Sequence, residues 1–319
     1  MRKLASLFLF SAVFGAASFV ACSDSTPTGS GLDARSDDDA GKKPTTKDGG
    51  SSSGDVPDGA DPPLPDGGKP PGRIYAHTRD TLYRFDPLAN TLTLVGKLDC
   101  VPTGGVGDGD DSVLDIALDR TGQMYATTFY RFLKVDATSG HCTVVNATLM
   151  PVNSYPNSLS FVPLGTVDPT QEALVGYAYD QFNDATIYTR IDLTNGTMSD
   201  LQNLNPPVSP DGNEYGLAGD FISLARDNGK TYGAIKVLTG DAGSGNNLLA
   251  EIDPTTGTMK RIIGDTGQTG FFGLGFWAGK AYGFTDTGGI YEIDITTGKS
   301  VLAFDAKDDA GAGIVWFGA

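Results

Sequence analysis

The stretch "IYEIDITTGK" (Ile290–Lys299) decides the fold. Its first five residues alternate in character, as a pleated, half-buried strand requires. Asp294 closes that strand, where a carboxylate can accept backbone N–H groups at a chain reversal, and Gly298 can take the positive φ from which a following strand starts. Near copies stand at "LLAEIDPTTGT" (248–258), "IYTRIDLTNGT" (187–197), "FLKVDATSGH" (132–141) and "LYRFDPLANT" (82–91). The closing aspartates are Asp86, Asp136, Asp192, Asp253 and Asp294.

A second landmark recurs with the first. The triplets "IYA", "MYA", "LVG", "TYG" and "AYG" centre on Tyr75, Tyr125, Val175, Tyr232 and Tyr282, at spacings of 50, 50, 57 and 50 residues. Most are preceded by a short apolar segment ("LDIAL", "NSLSF", "DFISL", "GLGFW"). Each aspartate is followed by another strand ("TLTLVGKL", "CTVVNATL", "TMSDLQNL", "TMKRIIG", "SVLAF"). Internal periods of this size in a β-rich chain point to a propeller or solenoid. Each unit reads as four short strands, and a four-stranded sheet with two apolar faces must pack against its copies around an axis. A two-sheet sandwich is the alternative, and five in-register copies argue against it.

The last residues, "GAGIVWFGA" (311–319), read as another first strand, although nothing follows to complete a unit. The repeats open at "RIYAHTRDTLYRFD" with second and third strands and no first. The expectation is therefore an all-β propeller over residues 73–319, with five four-stranded blades and the C-terminal strand closing the first blade, "GIVW" beside "RIYAH". A sixth, degenerate blade within 99–112 or 201–218 is the alternative. These segments resemble a family of uncharacterised bacterial propeller lipoproteins with kinship to YVTN-type repeats. The resemblance covers 73–319 and implies the fold. It carries no established activity, so no residue role follows from it.

Upstream the chain changes character. Residues 1–22 begin with Arg2 and Lys3 and continue as an uncharged, mostly apolar run to Ala21, the pattern of a secretory signal. A transmembrane anchor is the competing reading. The run is marginal in length for that, and no basic cluster follows it. The sequence "FVAC" resembles a bacterial lipobox, with Phe19 where Leu is usual, so Cys22 is the expected site of lipidation. Ser23 rather than Asp follows, which by the enteric sorting rule implies the outer membrane, on its periplasmic or cell-surface face. Residues 23–72 hold no aromatic side chain, and their only aliphatic residues larger than Ala are Leu32, Val56 and Leu64. Such a segment cannot offset its ordering entropy and reads as a spacer with an r.m.s. span of about 40 Å.

The formal net charge is −16, divided as +2 over residues 1–22, −5 over 23–72 and −13 over 73–319. Only four of the 39 acidic residues are Glu, so the acidity is Asp, a turn-forming residue. A chain this acidic repels phosphate backbones, which excludes nucleic acid as a partner.

Catalytic chemistry is sparse. His77 and His141 have no Cys or His partner at zinc spacing, and no G-x-S-x-G element occurs. Near the axis the spacing places Asp115 and Asp220, with Asn157 and Ser158 close by, an oxygen set that Ca²⁺ could use. Asp108, Asp110 and Asp111 crowd a glycine-rich loop and form a second candidate Ca²⁺ position. Two functional classes follow. One is an anchored monomeric module that binds a protein, glycan or small molecule and requires no cofactor. The alternative is an extracytoplasmic Ca²⁺-dependent hydrolase of the lactonase-propeller type, although no Glu stands at a first-strand start. Cys100 and Cys142 are the remaining cysteines, and an oxidising compartment favours a bridge between them.

Overall fold

A computed structural model describes residues 73–101, 112–147, 154–180, 185–204, 213–224, 229–238 and 245–319. Cys22, the spacer and the Asp108, Asp110 and Asp111 loop lie outside them. Every element among the described residues is a strand. The first sheet holds β1 (Ile74–His77), β2 (Thr81–Asp86) and β3 (Thr91–Lys97). The second holds β4 (Asp115–Leu118), β5 (Met124–Thr127), β6 (Arg131–Val135) and β7 (Cys142–Ala147). The third holds β8 (Leu159–Val162), β9 (Ala173–Asp180), β10 (Ala185–Ile191) and β11 (Met198–Asn203). In the fourth are β12 (Tyr215–Leu224), β13 (Lys230–Val237), β14 (Leu248–Ile252) and β15 (Met259–Asp265), and in the fifth β16 (Phe271–Trp277), β17 (Lys280–Thr285), β18 (Gly289–Ile293) and β19 (Ser300–Asp305). Each sheet is an antiparallel meander in chain order, and together they form a five-bladed β-propeller.

The repeat landmarks map onto this directly. Tyr75, Tyr125, Val175, Tyr232 and Tyr282 lie in β1, β5, β9, β13 and β17, the second strands of their blades. The five aspartates stand at the turns between third and fourth strands. In those turns Asp136, Asp192, Asp253 and Asp294 each accept the N–H of the residue two positions on, at 2.7–2.9 Å. Gly140, Gly196, Gly257 and Gly298 supply the positive φ that follows, and in the first blade Asn90 takes that role at φ 53°.

The ring closes through the chain's end, over a shorter length than a full strand. His77 N–H donates to Gly318 O at 3.0 Å and Phe317 N–H donates to His77 O at 2.9 Å. The pairing therefore falls at Phe317–Gly318 and not at "GIVW". Ile314 and Trp316 of "GIVW" instead act by packing, while Val315 stays exposed. Trp316 is fully buried, edge-on to Tyr83 and Phe284 with ring centroids 5.4 and 5.6 Å away. Ile74, Phe85, Tyr282 and Ile314 complete this cluster between the fifth and first blades. A large aromatic anchor compensates for a two-bond clasp because area removed from water, not hydrogen-bond count, carries most of the favourable energy.

One irregularity repeats in all five blades. Each fourth strand carries a bulge against the third, at Val95, Val145, Leu201, Ile263 and Ala303. The residues that follow are Gly96, Asn146, Gln202, Gly264 and Phe304. This position faces the turn of the next blade. A Cβ on Gly96 would sit 1.9 Å from Ser139 O, and one on Gly264 would sit 2.1 Å from Thr297 O. At those two seams the backbones touch, and only glycine permits it.

Candidate functional site

The axis is built from the starts of the first strands. Asp115 opens β4, and its Oδ2 accepts the N–H of Leu159, the first residue of β8 in the next blade. Asp220 reaches the axis by a different route. Strand β12 breaks register with β13 between Leu217 and Phe221, and this bulge turns Asp220 inward. Its Oδ1 accepts the N–H of Phe221 at 2.6 Å, and its Oδ2 accepts that of Leu274, on β16 of the next blade, at 3.2 Å. Gly219 makes room for the bulge, since a Cβ there would lie 2.0 Å from Phe271 O.

Both carboxyl groups are 1% exposed, and they lie close enough for each to shift the other's ionisation. Two buried carboxylates side by side disfavour each other's charge. Burial raises the pKa of both, Asp115 to about 8, and Asp115 beside it raises Asp220 further. Burial and mutual repulsion therefore favour the protonated form of this pair, which brings the second blade and the fourth together.

The chain's end lies against this pair. A Cβ on Gly318 would be 2.3 Å from Asp115 Oδ1 and 2.6 Å from His77 Nε2, so the two atoms are within about 4.9 Å, the sum of those distances. His77 is fully buried, and burial lowers its pKa to about 4. Its Nδ1 lies 2.8 Å from Thr78 O, an acceptor, so Nδ1 carries the proton and Nε2 presents a lone pair. The sequence offered no sign that His77 sits beside Asp115, because the ring closure creates the neighbourhood. The one available clue was that His77 ends the strand on which the last residues were expected to pair.

The remaining candidates divide. Ser158 is fully buried next to Leu159, and its Oγ has no partner among the described residues. Asn157 is exposed and lies outside the buried cluster, its N–H donating to Tyr177 O at 3.2 Å. Cys100 and Cys142 are joined by a disulfide with Cα atoms 5.5 Å apart, which staples the segment after β3 to the start of β7. Asp99 supports it, accepting Cys142 N–H at 3.0 Å on Oδ1 and meeting His141 Nδ1 at 2.8 Å on Oδ2. No group of three or more His, Cys, Asp or Glu able to hold a metal ion occurs among the described residues. No helix among them is long and apolar enough to cross a membrane.

No protein-family model matches the chain, and no curated protein is similar to it. Solved structures are similar at low identity. The nidogen/laminin complex matches at 14% identity over 78% of this chain and 85% of that one, with a TM-score of 0.39. TolB from Acinetobacter baumannii matches at 15% over 75% of this chain and 54% of that one, with a TM-score of 0.41. Streptogramin B lyase matches at 11% over 75% and 67%, with a TM-score of 0.30.

Proposed function

We propose that this chain is a lipid-anchored propeller of the bacterial envelope, held at Cys22 and lifted from the outer membrane by residues 23–72, which binds a partner through its loop faces and blade seams and works as a monomer. The observation that carries this reading is the sealed axis. Asp115, Asp220 and His77 are all at most 1% exposed, and Gly318 lies against Asp115 and His77, so a substrate has no approach to these groups. Exposed aromatic side chains lie elsewhere. Phe129, Tyr179 and Phe272 are 40%, 48% and 41% exposed, and strand alternation puts all three at the end of the ring where the first strands begin. Tyr155 and Tyr215, in contrast, are buried blade-packing residues.

The second reading, a Ca²⁺-dependent hydrolase, draws on the paired carboxyls and the buried Ser158 Oγ. Ca²⁺ asks for six to eight oxygens, and no group of three or more His, Cys, Asp or Glu able to hold a metal occurs among the described residues. Thermal unfolding of the full chain with Ca²⁺ and with EDTA separates the two. The expected result is coincident melting curves. A fall in melting temperature with EDTA that disappears in Asp115→Asn would overturn the binding reading. Anchoring is checked by fractionation, with Cys22→Ser moving the protein from the membrane to the soluble fraction.

A further inference from the structure

The seam between the third and fourth blades is one of three that carry a side chain after the fourth-strand bulge, the others being those at Asn146 and Phe304. After the bulge in β11 stands Gln202, where the closed seams have Gly96 and Gly264. Here the next blade's turn does not meet the strand backbone as it does at Gly96 and Gly264. That turn rests instead on aromatic rings. A Cβ on Gly257 would lie 2.5 Å from Tyr188 Cγ, Tyr188 Oη donates to Pro254 O at 2.8 Å, and Tyr177 Oη donates to Gly257 O at 2.7 Å. Between the displaced turn and Gln202 a cavity of about 240 Å³ remains.

Its chemistry is specific. Tyr177, Ile235 and Ile252 are buried side chains at its base, and Leu217 and Met259 add to the walls. The Tyr177 hydroxyl is already committed to Gly257 O, so it does not call for a polar ligand atom. Burial also raises its pKa well above the usual value and keeps it uncharged. Among the described residues, none that lines the cavity carries a charge. The exposed side chains of Gln202, Thr186 and Thr258 ring the opening with amide and hydroxyl groups. The volume exceeds the roughly 150 Å³ at which an apolar protein cavity takes up benzene, and it is far below what a helix or folded partner needs.

We infer that this seam is a binding site for a small uncharged organic molecule, with an apolar, ring-sized body buried against Tyr177, Ile235 and Ile252 and a hydrogen-bonding end at Gln202. A charged group inside would lose its hydration with no counter-charge to meet it. The inference deepens the binding-module reading by naming a ligand class, and its test stands apart from that reading's.

The experiment titrates the full chain with N-phenyl-1-naphthylamine, a neutral fluorophore, and with 1-anilinonaphthalene-8-sulfonate, which adds a sulfonate to the same ring skeleton. The neutral probe is expected to bind saturably at one site, at least tenfold more tightly than the anion. Thr258→Trp, at an exposed position on the cavity edge, weakens it at least tenfold while leaving the melting temperature unchanged. Thr186→Trp on the opposite wall does the same and decides the matter if Thr258→Trp fails to fold. Val301→Trp, on an outer strand away from the seam, changes nothing. Absence of saturable binding, equal affinity for the two probes, or binding untouched by the tryptophans would overturn the assignment. Partner capture that persists in Thr258→Trp would leave the module reading standing without this site.

Discussion

Blades one and two meet backbone to backbone, whereas blades three and four meet backbone to ring. At the first seam Gly96 receives Ser139 O from the neighbouring turn, and the Cys100–Cys142 disulfide fastens the same edge. At the other seam Gln202 stands in the glycine's place, the turn settles on Tyr177 and Tyr188, and a cavity opens. Both seams carry the same aspartate turn, the same fourth-strand bulge and the same positive-φ glycine. The comparison teaches that the shared turn and bulge set where these blades meet, while the surface the turn lands on, backbone at one seam and aromatic ring at the other, differs.

The sharpest way to break the comparison is to remove the staple. The disulfide closes a loop of 42 residues, for which loop-closure entropy gives about 4 kcal/mol. Cys100→Ser with Cys142→Ser, or reduction of the wild type, is expected to lower the free energy of urea unfolding by that order. A loss below about 1 kcal/mol would mean that the glycine contact alone holds the seam.

A smaller effect tests the residue after the bulge. Gly96→Val forces a side chain against Ser139 O and should cost about 3 kcal/mol, in the overpacking range. Gln202→Val, at the equivalent place in the open seam, should stay within about 0.5 kcal/mol. Equal costs at the two positions, read from denaturant midpoints, would remove the distinction.

The smallest effect concerns the carboxyl pair that brings together one blade of each seam. Folding raises the pKa of Asp115 and Asp220, so the native state holds protons that the unfolded chain releases near pH 4. That stabilisation is complete below the unfolded value and is lost as pH climbs through about 8. The wild type should therefore lose stability steadily between pH 5 and 8 relative to the Asp115→Asn, Asp220→Asn double variant, which cannot ionise there. His77 works in the opposite sense, since its lowered pKa withdraws stability as pH falls from 6.5 toward about 4. Parallel pH profiles for wild type and double variant would show that the pair is ionised and solvated.

Much of this architecture was legible in the sequence because it rests on local rules. Alternation at Ile290–Ile293, an aspartate at each reversal and a glycine after it are short-range signals, and they placed third and fourth strands in all five blades. Asp115 and Asp220 were legible as first-strand residues. Their pairing was not, because it depends on a bulge at 218–220 that alternation does not encode. His77 escaped notice because its neighbour, Gly318, is 241 positions away and comes close only through closure. The closing contact fell at Phe317–Gly318 and not at "GIVW", because Trp316 packs into the core and leaves the backbone pairing to its successors. The cavity was unreadable for the same reason as the bulges. Gln202 looks like an ordinary exposed residue of an outer strand until its counterparts Gly96 and Gly264 are seen in contact with the next blade.

The clasp at His77 has a mechanical meaning. The ring's first strand begins at Ile74 and is gripped by the last residues three positions later. Any tug arriving along residues 1–73 is therefore delivered to the one blade assembled from both ends of the polypeptide. Load on that blade would bear on the two backbone bonds at His77 and on the buried Trp316 ring beside them.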